Sequence, residues 1–466
     1  MAEKSGDCKC RIDRVETTSD TLTGRGGLAP FVQYLLSRKI VDLCAAGFFG
    51  FRRNSKGITV HEMVKQILCF FMDGTNLSIS HFDELRSDKG YAAAIQTSQG
   101  DMASSHQVKR FFAKMGVFVF PIFRRKLRQF FRWRLETEKP ECILLNVDPM
   151  LMNNDGAKKR QGVQPTYKRF KGFLPFQVSW GPYIVDAIFR GGSKSGNHGS
   201  TVITVLKKHV KLIRECLGEQ IPIVVLMDAG FMDQKIFSAL EDAGVGYVVT
   251  GKLYGDIVER ADGLPEEEWS LYVNKKVHWD ITSFIDQRES WDTARRLLFL
   301  RRKQEDNGQT LLPCMRPDTV FYTNIGMGAR IDTYLQDAGL GKWKECRKLA
   351  SIAHGRGSDE LTWRAAKEFG SEKLPFKNFY PNAAYFYFMV ISFNFYESYK
   401  RDVGEDIIEA GMYANTFRRR FIDVAAKVVR TGGQVILKVT KSTWERLKFI
   451  TLWNRACSLP AVFLTG

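Results

Sequence analysis

Apolar positions along this chain change their spacing several times, and each change marks an element or a boundary. From Gly27 to about Trp133 they recur three and four apart, as in A-P-F-V-Q-Y-L-L, T-V-H-E-M-V-K-Q-I-L-C-F-F-M and S-H-F-D-E-L-R, with Gly- and Asn-rich breaks between. That spacing predicts amphipathic helices, and residues 1–135 are expected to form an N-terminal helical domain behind a polar arm of about 25 residues. From Cys142 to about Gly251 short β-branched and aromatic runs take over: I-L-L-N-V-D, F-L-P-F-Q-V-S-W, Y-I-V-D-A-I-F-R, I-V-V-L-M-D and G-Y-V-V-T. With helices expected at about 201–216 and 233–243, the order is strand, strand, strand, helix, strand, helix, strand, an α/β pattern.

Residues 253–345 read differently. S-L-Y-V-N-K-K-V-H-W, R-R-L-L-F-L-R-R-K and T-V-F-Y-T-N-I cluster β-formers between turn-rich breaks, predicting a β-rich insertion. Residues 346–402 return to helical spacing, ending in the strongly apolar F-Y-P-N-A-A-Y-F-Y-F-M-V-I-S-F-N-F, expected in the core. Residues 403–466 form a basic segment, with R-R-R at 418–420 and an alternating G-Q-V-I-L-K-V-T, expected on the flank of that core.

Charge narrows the partners. The 466 residues carry 69 Lys plus Arg against 51 Asp plus Glu, a formal net charge of +18, and 12% are aromatic. An excess of that size suits a polyanion, with double-stranded DNA the first to consider. Nine cysteines are scattered without CxxC or zinc-like Cys/His spacing and are expected as free thiols in a reducing cytoplasm. The polar start M-A-E-K-S-G-D predicts no signal peptide, and the longest apolar run, Ala383 to Phe395, is too short to span a bilayer. No membrane partner is expected.

Three acids stand where chemistry is expected. Asp148 and Asp228 each end a short apolar run, so each would sit at or near the C-terminal end of a buried strand, where α/β sheets place ligands. Glu360 lies in H-G-R-G-S-D-E-L-T-W-R-A-A-K; as a helix, this stretch lines up Arg356, Glu360, Arg364 and Lys367. An exposed helix with ordinary Arg/Glu pairs is the competing reading of that segment. Three carboxylates of this kind can hold two Mg²⁺ or Mn²⁺ ions, which clamp the attacking and leaving oxygens of a phosphodiester. The stretch from Asp228 to Glu360 exceeds that from Asp148 to Asp228 by about a small subdomain, consistent with an insertion.

Two other segments could touch DNA. Ser104 to Phe112 reads as a capped helix start followed by Lys109 and Arg110, and either lies in a groove or packs by its aromatics. R-R-K-L-R-Q-F-F-R-W-R at 124–134 is a basic amphipathic stretch, a DNA contact or a solvated face joining two domains. G-G-S-K-S-G at 191–196 lacks the Walker pattern, so no nucleotide cofactor is expected, and no HExxH supports a zinc hydrolase.

Taken together, the motifs resemble the DDE transposases of bacterial insertion sequences, in the branch with a β insertion before the Glu and most closely the insertion sequence 1380 family. The resemblance runs from about Gly27 to the basic tail. It is carried by F-D-E-L-R-S-D at 82–88, Ser104-Ser105, Gly162, Gln164, Tyr167, Arg190-Gly191-Gly192 with Asn197, and Asp228-Ala229-Gly230-Phe231. Arg356, Glu360 and Lys367 fit the related Tyr-x2-Arg-x3-Glu-x6-Lys motif, with Ala353 at the Tyr position; Asn146-Val147-Asp148-Pro149 departs from the usual Asp-x-Asp.

The resemblance implies a ribonuclease H-like catalytic core, 136–252 and 346–402, interrupted by the insertion. It further implies Asp148, Asp228 and Glu360 as catalytic metal ligands, and Arg356 and Lys367 on phosphates, with Arg364 beside them. The activity it implies is cut-and-paste transposition by a homodimer on terminal inverted repeats and target DNA, in a bacterial cytoplasm at the nucleoid. Two alternatives remain: a transposase-derived DNA-binding protein without catalysis, and a recombination or repair nuclease on the same core.

Overall fold

The structure, a computed structural model, describes residues 12, 14–48, 50, 57–157, 159–194, 201–303 and 317–462; the side chains of 356–361 lie outside the description, although the backbone there is helical. In chain order the elements that matter are β1 (Thr21–Thr23), α1 (Leu28–Ser37), α2 (Val60–Asp73), α3 (Ser105–Ala113), α4 (Val119–Glu138), β2 (Ile143–Pro149), β3 (Phe176–Trp180), β4 (Tyr183–Ile188), α5 (Thr201–Leu217), β5 (Ile223–Met227), α6 (Gln234–Asp242) and β6 (Gly246–Thr250). Then follow β7 (Ser270–Asn274), β8 (Val277–Asp286), β9 (Arg295–Arg302), β10 (Asp318–Thr323), α7 (Arg330–Asp337), α8 (Cys346–Phe369), α9 (Phe379–Asp402), β11 (Ala426–Thr431), β12 (Gln434–Val439) and α10 (Phe449–Ser458).

Nine strands form one mixed sheet in the order β7-β8-β9-β10-β6-β5-β2-β3-β4. Only β2, β5 and β6 run parallel, joined by crossovers through α5 and α6, and every other pairing is antiparallel. Such a sheet needs cover on both faces, because its central strands read as continuous apolar runs. The strands of 253–345, set apart in the sequence as an insertion, extend this same sheet beyond β6 and share its two faces.

On one face the odd positions of β2, Ile143, Leu145 and Val147, join Phe176, Val178 and Trp180 of β3 in a large core with α4, α5, α6 and α9. α9 is its axis, buried from Pro381 through Lys400. Asn394 in its middle donates to Ile184 O at 2.8 Å and accepts from Ile184 N at 2.9 Å, satisfying backbone groups of β4 at the bulge in its pairing with β3. The N-terminal helices share this core: Phe31 packs on Tyr399, Phe71 on Tyr385 and Phe112 on Phe388.

On the other face α8 lies across the sheet. Its Leu349, Ala350, Ile352 and Ala353 pack on Val224, Leu226, Val248, Leu298, Leu300 and Phe321. α8 begins at Cys346, two turns before the helical stretch that the sequence suggested, so His354 is an interior helix residue. It lies against the rings of Tyr272 and Trp279, and burial pushes its imidazole pKa below the ordinary value.

Three readings of basic or polar segments change. Of the six basic residues at 124–134, only Arg125 is exposed. Arg124 grips Asp186 through Nε at 2.8 Å and Nη2 at 2.5 Å, and Arg134 pairs with Asp402 at 2.8 Å and Glu138 at 2.8 Å. The helix turns its charges inward because those acids sit on β4, on α9 and one turn along, so it is a core helix. Within R-R-R, Arg418 is buried and donates to Phe71 O and Phe369 O, each at 2.6 Å, tying the C-terminal ends of α2 and α8 together. The N-terminal arm is not loose throughout, since β1 pairs antiparallel with β11, whose other neighbour is β12. Among the described residues no helix is long and apolar enough to cross a membrane, and the six described cysteines are unpaired.

Candidate active site

The parallel ladder between β2 and β5 pairs Asn146 with Leu226 and Val147 with Met227. One step further come Asp148 and Asp228, so the two acids emerge side by side where the two strands end, on the α8 face by the alternation of side chains. Both are half-buried. Asp228 accepts a hydrogen bond from Gly230 N at 2.9 Å, which turns the chain sharply after β5 and directs it into α6. A short apolar run ending in an acid therefore did indicate a strand end at both places.

α8 supplies the facing wall. Thr362 Oγ1 donates to Gly181 O in the β3–β4 turn at 3.3 Å, while Trp363, Arg364, Lys367 and Glu368 line a cleft of about 500 Å³ together with Asp148. Position 360 falls one turn before Trp363 and Arg364 on this helix. The side chains of Glu360 and Arg356 lie outside the described residues. Of the expected phosphate contacts, Arg364 is exposed and pairs with Glu368 at 2.9 Å, and Lys367 Nζ stands 3.6 Å from Glu372 Oε1.

Lys109 and Arg110 are not part of this cleft. They are exposed on α3, whose start is a capping box in which Ser104 N donates to Gln107 Oε1 at 2.8 Å and Gln107 N to Ser104 Oγ at 3.3 Å. Asp83 takes Ser105 N at 2.9 Å and Ser105 Oγ at 2.6 Å, bonds that hold its carboxyl pKa below the ordinary value. Four donors at the helix start are thus engaged within the chain, and Phe111 and Phe112 are buried in the aromatic core. Lys109 and Arg110 remain toward solvent, as does His106.

The cleft also contains residues that the sequence did not single out: Lys168, Trp363, Glu368 and Glu372. Glu372 Oε2 accepts from Asn153 N at 3.1 Å, and Asn154 Nδ2 donates to Glu372 O at 2.7 Å, fixing the cleft wall to the loop after β2. Lys168 stands next to Tyr167, and Trp363 lies within the 354–367 stretch that carries Arg364 and Lys367.

Two adjacent carboxylates are hard oxygen donors of the kind that Mg²⁺ or Mn²⁺ prefers. Among the described residues no three His, Cys, Asp or Glu side chains converge as a ligand group, and the third carboxylate expected there is that of Glu360. Polar atoms without partners lie on the Asp148 side of the site: the Gln177 carboxamide, the Ser179 hydroxyl and the Trp363 indole N–H, all buried. Uncompensated polar atoms of this kind fit a site that takes up a hydrated cation.

A family model described as "Transposase DDE domain group 1" matches residues 10–459. No curated protein matches the chain. Among solved structures, a cryo-EM structure of a piggyBac transposase synaptic complex with hairpin DNA is similar at 12% identity and a TM-score of 0.40, covering 87% of this chain and 82% of that one.

Proposed function

Since the chain belongs to the group 1 DDE transposase domain family, we propose that it is the transposase of a bacterial insertion sequence of the 1380 type, a cytoplasmic enzyme that cuts DNA at terminal inverted repeats and joins the freed end to target DNA. In this reading the β2–β6 region, α8 and α9 are a ribonuclease H-like core, residues 253–345 are its insertion, and residues 1–135 are the helical DNA-binding region. The observation that carries the proposal is the β2/β5 register, which sets Asp148 beside Asp228 on the face that α8 crosses.

Asp148, Asp228 and Glu360 would hold two divalent ions, Mg²⁺ or Mn²⁺. Such ions supply Lewis-acid charge at the phosphodiester and a more acidic bound water. The protein's part is placement. Strand ends keep Asp148 and Asp228 at fixed separation, so the ligand set is assembled before substrate arrives. Lys168, Arg364 and Lys367 present cations along the cleft wall, where a phosphate backbone would displace the carboxylates of Glu368 and Glu372 that Arg364 and Lys367 now face. Arg364 can grip two phosphate oxygens at once, whereas Lys367 acts as a point charge. Arg356 adds a further cation in this reading, and Lys109 and Arg110 contact DNA outside the cleft.

The test is cleavage of a labelled duplex carrying the element's flanking inverted repeats, with Mg²⁺, Mn²⁺ or EDTA, for this chain and for Glu360→Ala. Metal-dependent cutting at the repeat boundary that the substitution removes is the expected result. Binding without cutting in any metal would instead mark a DNA-binding protein that has lost catalysis. Cutting indifferent to the repeats would mark a general nuclease.

A further inference from the structure

Directly across the β2/β3 ladder from Asp148 stands Gln177, and across from Asn146 stands Ser179. Paired residues of an antiparallel ladder share a face with Cβ atoms about 4.5–5.5 Å apart, so Asn146, Asp148, Gln177 and Ser179 form one polar strip beneath α8. Gln177 is 0% exposed, and neither its Nε2 nor its Oε1 has a hydrogen-bond partner; the Ser179 hydroxyl is equally buried and unpartnered.

A buried carboxamide without partners is costly, and an apolar side chain of the same length would avoid that cost. The fold has no need of polarity here, because the continuation of this face across β5, β6 and β9 is Val224, Leu226, Val248, Leu298 and Leu300. Gln177 is also the nearest cross-strand neighbour of the carboxylate assigned to the metal. Its two unused hydrogen-bonding groups therefore point to a role realised only when that carboxylate is engaged.

We propose that Gln177 is the positioning residue of Asp148: its carboxamide N–H donates to the Asp148 carboxylate in the cation-bound site and fixes which oxygen is presented to the ion. The inference rests on the metal-binding reading of Asp148. Residues that orient a metal-ligating side chain in this way act through the ligand, and their loss typically weakens metal affinity by about 10–100-fold.

The experiment uses the full chain with Mn²⁺ as the probe. Affinity is read by isothermal titration, and the thermal midpoint is read separately in EDTA, for wild type, Gln177→Leu and Asp148→Ala. The expected outcome has opposite signs: Gln177→Leu keeps or raises the midpoint without metal, because two unpaired polar atoms leave the interior, yet loses about tenfold or more in Mn²⁺ affinity. Unchanged Mn²⁺ affinity overturns the proposal. A midpoint and an affinity that fall together also overturn it, since a structural role does that. Should the leucine variant fail to fold, Gln177→Met, unbranched and of similar length, is read in the same two assays. If wild type and Asp148→Ala bind Mn²⁺ alike, it is the metal reading of Asp148 that fails, an outcome separate from any result at Gln177.

Discussion

The sheet face beneath α8 has two ends built on opposite principles. Over β5, β6, β9 and β10 it is closed and apolar: Leu298 and Leu300 are at most 1% exposed and meet Leu349 and Ala350 of the helix. Over β2 and β3 it is polar, and the same helix turns there from packing to lining a cleft, with Arg364 and Lys367 opposite Asp148. One helix thus uses its first half as an anchor and its second half as a site wall. The difference teaches where stability and function divide, since the apolar end can hold α8 in place while the polar end keeps groups that a folding optimum would remove.

The largest test of that division is at the polar end. Replacing Asp148, Asp228 or Glu360 by Ala should abolish strand cleavage while DNA binding and the unfolding midpoint persist; full activity in any one of them would break the assignment. At the apolar end Leu300→Ala should do the reverse, costing about 2–5 kcal/mol in urea unfolding with cleavage per folded molecule unchanged. A marked loss of cleavage by folded Leu300→Ala would mean that the two ends are not separable.

A smaller effect sharpens the polar end itself. Arg364→Ala and Lys367→Ala should each weaken DNA binding and lower the slope of log affinity against log salt by about one. Lys109→Ala with Arg110→Ala tests whether α3 adds to that slope; an unchanged slope and affinity leave α3 as a packed helix with a solvated face.

The smallest effect contrasts the site acids with an acid used for structure on the opposite face. Burial pushes the Glu397 carboxyl up to about 7, opposed by Lys400 whose Nζ lies 2.9 Å away. A carboxyl raised in the folded state binds its proton more tightly there than when unfolded. Its contribution to stability is therefore fully present below the ordinary value of 4.5 and is lost as pH rises toward about 7. Glu397→Gln should flatten stability across that window, measured by denaturant titration at successive pH values; an unchanged pH profile would show that the pair does not titrate there.

Much of this architecture was legible before any coordinates. The strand runs ending in Asp148 and Asp228, the helices after them and the buried character of α9 all follow from local spacing, because backbone preference and one-sided burial leave a periodic trace. The basic stretch at 124–134 was not legible as a core helix. Arg124, Arg132 and Arg134 are neutralised by Asp186, Glu215 and Asp402, acids far along the chain, and no local pattern encodes a partner that distant. The edge pairing of β1 with β11 was hidden for the same reason.

The sequence by itself determined the alternation of helical and strand segments, the excess of positive charge, and which acids end apolar runs. Tertiary structure alone decided which cations face solvent, that β7–β10 extend the main sheet, and that Gln177 stands across from Asp148. Periodicity reports which face of an element is buried. Register and partner choice arise from contacts between segments remote in sequence, and only the folded chain brings those together.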